Sequence, residues 1–230
     1  MRASPVRIRI GAVALATAGV SFLLYPLLRP WEDETTVVGA TAAMSSSAWV
    51  ASHGFAMIGF VLLGLGVLAA WGAVHRTAGE PVALLAVLLT WVGIGLTLPY
   101  YGAETFGLHA VAAAVDAGEA LDVVAIADGF RYDPVAVTSF GLGLTALAAG
   151  IVALAIAVRR SGILSPGAGL LLAAGFVLFL PQFFAPPAGR IAHGVLVAAG
   201  CLWTAWSLWT SGRTAHDADV DRPPMSGHLD

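Results

Sequence analysis

Six long stretches without a charged residue constrain the fold more than any other feature of this sequence. Each is long enough to cross roughly 30 Å of hydrocarbon as an α-helix. Only two histidines, His53 and His193, interrupt them. The pattern predicts an all-α fold, a polytopic integral membrane protein built as a six-helix transmembrane bundle. The predicted spans are residues 10–28, 48–74, 82–102, 135–158, 167–185 and 191–211.

The composition agrees with a membrane location and excludes other classes of function. Hydrophobic residues make up 58% of the chain and charged residues 11%, whereas soluble domains carry about a quarter charged residues. The formal net charge of −3 offers no basic surface for nucleic acid, so the lipid bilayer is the expected partner. Cys201 is the only cysteine, which excludes an internal disulfide and a zinc site with several cysteine ligands.

The first apolar stretch allows two interpretations. Arg2, Arg7 and Arg9 precede it, and residues 16–18 fit the small-residue pattern of a signal-peptide cleavage site. However, the apolar run continues to Leu28, beyond the length of an ordinary signal-peptide core. We expect an uncleaved membrane anchor, with cleavage as the alternative.

The arginines predict the orientation, because cytoplasmic loops of membrane proteins carry an excess of positive charge. With a cytoplasmic N-terminus, three arginines lie outside: Arg29, Arg131 and Arg190. The other eight lie inside: Arg2, Arg7, Arg9, Arg76, Arg159, Arg160, Arg213 and Arg222. The sequence thus predicts a bacterial plasma-membrane protein with both termini in the cytoplasm. Residues 212–230 lack an apolar pattern and are predicted to be a disordered cytoplasmic tail.

Two longer segments connect spans on the predicted outer side. Residues 29–47 contain three consecutive acidic residues and are interpreted as a solvated loop, with Trp31 and Trp49 at the membrane interface. Residues 103–133 show helical spacing of apolar side chains. We expect one or two short extracytoplasmic helices there, between the third and fourth spans, capping the outer end of the bundle.

Ionisable and amide side chains from distant parts of the chain gather at that outer end. Ionisable groups within a membrane normally face the bundle interior and each other, so we predict a polar pocket open to the outside. Thr90, Gly93, Thr97, Tyr101 and Glu104 also follow helical spacing and form one stripe on the third span. The gathered residues are His53, Glu104, His109, Gln182, Arg190 and His193.

Several chemistries fit these residue types, and the sequence leaves them open. Zinc could be bound by His53, His109, His193 and Glu104. A b-type haem could use His53 and His193 as axial ligands. Without a cofactor, Glu104 is the best candidate for a catalytic or proton-handling group, and Tyr101, Gln182 and Arg190 are candidates to bind a ligand. The alternatives are a proton-linked small-solute carrier and a structural or accessory membrane subunit with no site of its own.

Overall fold

The computed structural model describes residues 4–220, with side chains described through residue 211. All regular structure in this part of the chain is helical, which confirms the all-α fold class. In chain order the elements are α1 (Pro5–Leu28), α2 (Val37–Met44), α3 (Ser47–Ala73), α4 (Glu80–Gly102), a π-helix (Ala103–Gly107), α5 (Leu108–Asp116), α6 (Val123–Arg131), α7 (Pro134–Ser161), α8 (Pro166–Val177), a 3-10 helix (Pro181–Phe184) and α9 (Pro187–Val220).

Within the described residues, 5 helices are long and apolar enough to cross a membrane. They are α1, α3, α4 with its continuation to Asp116, α7, and α9 as far as Ser211. The sixth predicted span, residues 167–185, is broken: α8 has only 12 residues, and a turn and the 3-10 helix follow it. Pro181 explains the break, because it lacks an N–H and its ring would clash with the carbonyl of Val177, the last residue of α8. The chain therefore has the architecture of a multi-pass membrane protein with five long apolar helices and one interrupted apolar segment.

The long helices pack through small residues and aromatic rings. α1 lies against α3 and α9, and α4 lies against α7. A Cβ added at Gly143 of α7 would lie 2.5 Å from the hydroxyl oxygen of Thr97 on α4, so glycine is required for this close approach. On the outer surface of the bundle, large apolar side chains such as Leu88 remain exposed, as expected where lipid is the solvent.

Three short helices, α2, α5 and α6, form a cap over one end of the bundle. Met44 of α2, Leu108 of α5 and Val123 of α6 belong to one buried apolar cluster, together with Trp49 at the start of α3. α5 and α6 correspond to the short helices predicted for residues 103–133. We call this cap, with the helix ends beneath it, the capped end.

The prediction of a solvated loop over residues 29–47 is wrong for residues 37–44, which form α2, whereas residues 31–36 are non-helical and largely exposed. Thr36 caps the N-terminus of α2 by accepting a hydrogen bond from the backbone N–H of Gly39. Trp49, predicted at the membrane interface, is fully buried beneath the cap. At the other terminus, α9 continues to Val220, and the rest of the tail predicted to be disordered, residues 221–230, lies outside the described residues.

Candidate functional site

Ion pairs connect the cap to the bundle. Glu104 accepts two hydrogen bonds from Arg131, at 2.7 Å from Nε and 2.9 Å from Nη2. Arg131 Nη2 also contacts Glu34 at 2.9 Å, and the other oxygen of Glu34 lies 2.5 Å from Nη2 of Arg29. We call Arg29, Glu34, Glu104 and Arg131 the ion network. Because all four side chains are largely buried, each charge depends on its partners in place of water.

The π-helix determines where Glu104 lies. Its wider turn leaves the backbone carbonyl of Glu104 free to accept a hydrogen bond from the indole N–H of Trp49, at 2.7 Å. The side chain of Glu104 is buried at the same time. The predicted stripe of Thr90, Gly93, Thr97, Tyr101 and Glu104 is indeed buried along its whole length.

Burial alone lowers the pKa of Arg29, but Tyr25, Glu34 and Glu104 outweigh burial, and the pKa lies above the ordinary value for arginine. The pKa of Arg131 is also raised, because the hydrogen bonds and charges of Glu104 and Glu34 more than offset its burial. A raised pKa contributes stability that is present below the ordinary arginine pKa and is lost only as the pH rises through the folded value. Both arginines therefore stay charged throughout the physiological range.

His53 contacts the ion network, and its ring has no free lone pair with which to bind a metal ion. Nη1 of Arg29 lies 3.2 Å from Nε2 of His53. Since arginine can only donate, Nε2 accepts, and the ring proton lies on Nδ1, which donates to the carbonyl of Trp49 at 2.9 Å. The same Nη1 contacts the hydroxyl of Tyr25 at 3.4 Å. His53 thus holds Arg29 in place as a neutral acceptor.

The other two candidate histidines lie elsewhere. Nδ1 of His109 donates to the carbonyl of Met44 at 2.8 Å and joins α5 to α2 within the cap. Nε2 of His193 donates to the carbonyl of Gly175 at 2.8 Å and joins α9 to α8.

A second polar region lies beside the ion network, in a partly open crevice between α1, the 3-10 helix and α9. The crevice has room for about one water molecule between its apolar walls. No acidic residue of the described part of the chain lines it, and its polar lining there consists of Tyr25, Gln182, Arg190 and His193. Gln182 is only 7% exposed, and its side-chain amide makes no hydrogen bond to any described residue. Tyr25 belongs to both regions, because its hydroxyl meets Arg29.

The geometry does not support the zinc and haem expectations. No three His, Cys, Asp or Glu side chains among the described residues are grouped so that they could hold a metal ion. The Nε2 atoms of His53 and His193 are bonded to Arg29 and to the Gly175 carbonyl, so neither is free to bind haem iron. His109 and Glu104 are likewise engaged separately, with Met44 and Arg131.

The sequence-based candidates therefore divide into three groups. Gln182, Arg190 and His193 line the crevice, Glu104 and His53 belong to or support the ion network, and His109 joins two cap helices. Tyr101 is 2% exposed, packs against the rings of Tyr25, Phe60 and Phe140, and does not line the crevice.

Sequence reasoning missed four residues: Tyr25, Arg29, Glu34 and Arg131. The three charged ones were treated only as orientation signals or as solvated side chains. One available signal was that a lone buried carboxylate requires a cation, and only three arginines were expected on that side.

Comparisons with protein-family models, with curated proteins and with solved structures find no match to this chain. The functional argument therefore depends on the geometry of the two polar regions.

Proposed function

We propose that this chain is a multi-pass protein of a bacterial plasma membrane that binds a small polar ligand in the crevice, from the outer side. α8 and the 3-10 helix together make the sixth crossing, and both termini are cytoplasmic. The observation that carries the proposal is Gln182, which is 7% exposed, lines the crevice together with Arg190 and makes no hydrogen bond to any described residue. The hydrogen bonds of its amide must therefore come from water or from a ligand in the crevice.

The distribution of arginine supports this orientation. Arg29, Arg131 and Arg190 belong to the capped end. The described arginines at the opposite end are more numerous: Arg7, Arg9, Arg76, Arg159 and Arg160. The positive-inside tendency therefore favours the capped end as the outer one.

The carrier alternative receives less support from the packing. Thr90 and Thr97 are the polar groups of α4 that could line a route through the bundle. A Cβ added at Gly150 or Gly143 of α7 would lie 2.7 Å or 2.5 Å from their hydroxyl oxygens, so α7 packs directly over both threonines. Binding at one face fits this arrangement better than passage through it.

Cysteine labelling tests the orientation. The single native cysteine, Cys201, is fully buried and gives little background. A Glu119→Cys variant places a thiol on the exposed linker between α5 and α6, and Ala78→Cys places one on the exposed connection at the opposite end. In intact cells, a membrane-impermeant maleimide should label the first variant and not the second. Labelling of only Ala78→Cys would reverse the proposed orientation.

A second labelling experiment tests the crevice. Gln182→Cys should react with a small, charged methanethiosulfonate added outside intact cells, more slowly than Glu119→Cys because the crevice is narrow. If Glu119→Cys reacts and Gln182→Cys does not, the crevice is closed to the outside, and the binding proposal fails while the orientation stands.

A further inference from the structure

The charge of Arg190 has no acidic partner among the described residues. Its Nε and Nη2 donate to the backbone carbonyls of Ala185 and Phe183, at 3.2 and 2.5 Å. The third nitrogen, Nη1, makes no hydrogen bond to the described part of the chain. One edge of the guanidinium therefore anchors it to the protein, and the other remains available at the crevice.

Positive charge is concentrated beside the crevice. The guanidinium carbons of Arg29 and Arg190 lie 5.4 and 5.5 Å from the ring centre of Trp31, so one indole serves two cations. Arg29 contacts Glu34, and Arg131 contacts both Glu34 and Glu104. Arg190 contacts neither of these two carboxylates.

Further donors lie close to this charge. Gln182 lines the crevice, is 7% exposed and makes no hydrogen bond to a described residue, so its amide N–H₂ is available to donate to a ligand. The backbone N–H of Arg190 already donates to the carbonyl of Pro186 and adds no donor. The site therefore offers donors from a charged side chain and a neutral amide.

The depth of the site also limits the chemical classes of ligand that it fits. Arg190 is in the first turn of the long apolar helix α9, which in the proposed membrane arrangement is the level where lipid headgroups meet the hydrocarbon. Phe22 and Phe179 form an apolar wall below the polar groups. This arrangement suits a group with an anionic head and an apolar remainder.

We propose that a phosphate group binds at the mouth of the crevice, at Arg190 and Gln182, since the crevice itself has room for only about one water molecule. This inference depends on the proposed function, because it names the chemistry of the ligand. The phosphate can come from an anionic phospholipid headgroup or from a soluble phosphate ester.

Thermal unfolding of the full chain in a neutral detergent tests the inference. The probes are dioleoylphosphatidylglycerol, dioleoylglycerol, which has the same tails without phosphate, and glycerol phosphate, which has no tails. Saturating phosphatidylglycerol should raise the unfolding midpoint by about 3 to 5 °C more than dioleoylglycerol does. An equal rise with glycerol phosphate assigns a soluble source, whereas a rise with the lipid alone assigns a headgroup; both outcomes support the phosphate site.

Variants connect the shift to the crevice. Arg190→Gln should bind phosphatidylglycerol at least tenfold more weakly, and Arg190→Lys should retain most of the shift. Arg159→Gln is the matched control, since it removes the same charge from an exposed position at the opposite end and should behave as the parent does. If Arg190→Gln does not fold, Gln182→Leu takes its place and should also weaken binding.

Two results would overturn the inference: equal shifts from dioleoylglycerol and phosphatidylglycerol, or an undiminished shift in the folded crevice variants. The labelling of Gln182→Cys then separates the two proposals. A reactive thiol leaves the ligand-binding function in place with a different ligand, whereas an unreactive thiol removes the binding function as well.

Discussion

The ion network and the crevice lie side by side at the capped end but differ in how their polar groups are paired. In the ion network, Glu34 and Glu104 each contact arginine, and Arg131 binds both carboxylates. In the crevice, the Gln182 amide and one nitrogen of Arg190 have no partner among the described residues. The two regions meet at Tyr25, which contacts Arg29 and lines the crevice.

This difference separates a structural assembly from a binding site. Paired charges at low dielectric stabilise one arrangement of the helices, and removing either member leaves the other exposed to a large desolvation cost. The Gln182 amide has no partner to stabilise among the described residues, and its hydrogen bonds come from water or from a ligand. Substitutions should therefore lower stability in the ion network and lower ligand binding in the crevice.

The largest effect is expected from Arg131→Ala. It leaves the buried carboxylate of Glu104 without its bidentate partner, and we expect a loss of about 3–5 kcal/mol in the free energy of unfolding. Denaturant titration in mixed micelles measures this loss. Arg160→Ala, at an exposed position of the opposite end, is the control and should change stability by less than about 0.5 kcal/mol. Equal losses in the two variants would mean that the ion network does not stabilise the fold.

A pair of histidine variants compares the two regions directly. His53→Ala removes the acceptor for Arg29 and opens a cavity at a position only 2% exposed, so we expect a loss of about 2–4 kcal/mol. His193→Ala removes a half-buried ring with one hydrogen bond and should cost about 1 kcal/mol. The same denaturant titration measures both. The reverse order would contradict the assignment of His53 to the structural region.

His109→Ala should lower stability only slightly and only within the cap. Its loss gives a reference value for the losses in the two other histidine variants. The variant loses one hydrogen bond between α5 and α2, worth about 1 kcal/mol. Hydrogen–deuterium exchange should accelerate in α2 and α5, with α7 unchanged. Uniform acceleration throughout the chain would show that the cap and the bundle unfold together.

The smallest effect on stability, and the most informative sign, is expected for Gln182→Leu. Leucine replaces an amide that has no partner in the described part of the chain, at a position only 7% exposed. The free energy of unfolding should therefore stay unchanged or rise by up to about 1 kcal/mol. Thermal unfolding without added ligand measures it. A clear loss of stability would show that Gln182 supports the fold, and the contrast between the two regions would disappear.

The spans were predictable because long uncharged stretches admit few alternatives in a bilayer. The broken segment shows the limit of that argument, since hydropathy does not register Pro181 as the residue that ends a helix. α2 was missed because its eight residues carry no amphipathic pattern. Its burial depends on Trp49 and Leu108, which approach it only in the folded chain.

The candidate site was predictable in part for a similar reason. Gln182, Arg190 and His193 flank one short connection, so their closeness follows from the topology. The partner of Glu104 was not predictable, because Arg131 lies 27 residues further along the chain, at the end of a cap helix. Nothing in the sequence indicates which of the three arginines on that side would reach the carboxylate.

The π-helix at Ala103–Gly107 makes the chain length beside Glu104 adjustable. A π-turn accommodates one residue more than an α-turn, so deleting a single codon there would let the helix run regularly and leave α5 close to its present orientation. A deletion elsewhere in α4 would instead rotate everything after it by about 100°, and His109 would swing away from the carbonyl of Met44. When related chains are aligned, a one-residue gap beside Glu104 would therefore signal a lost π-turn, whereas a gap within α4 would signal a reoriented cap.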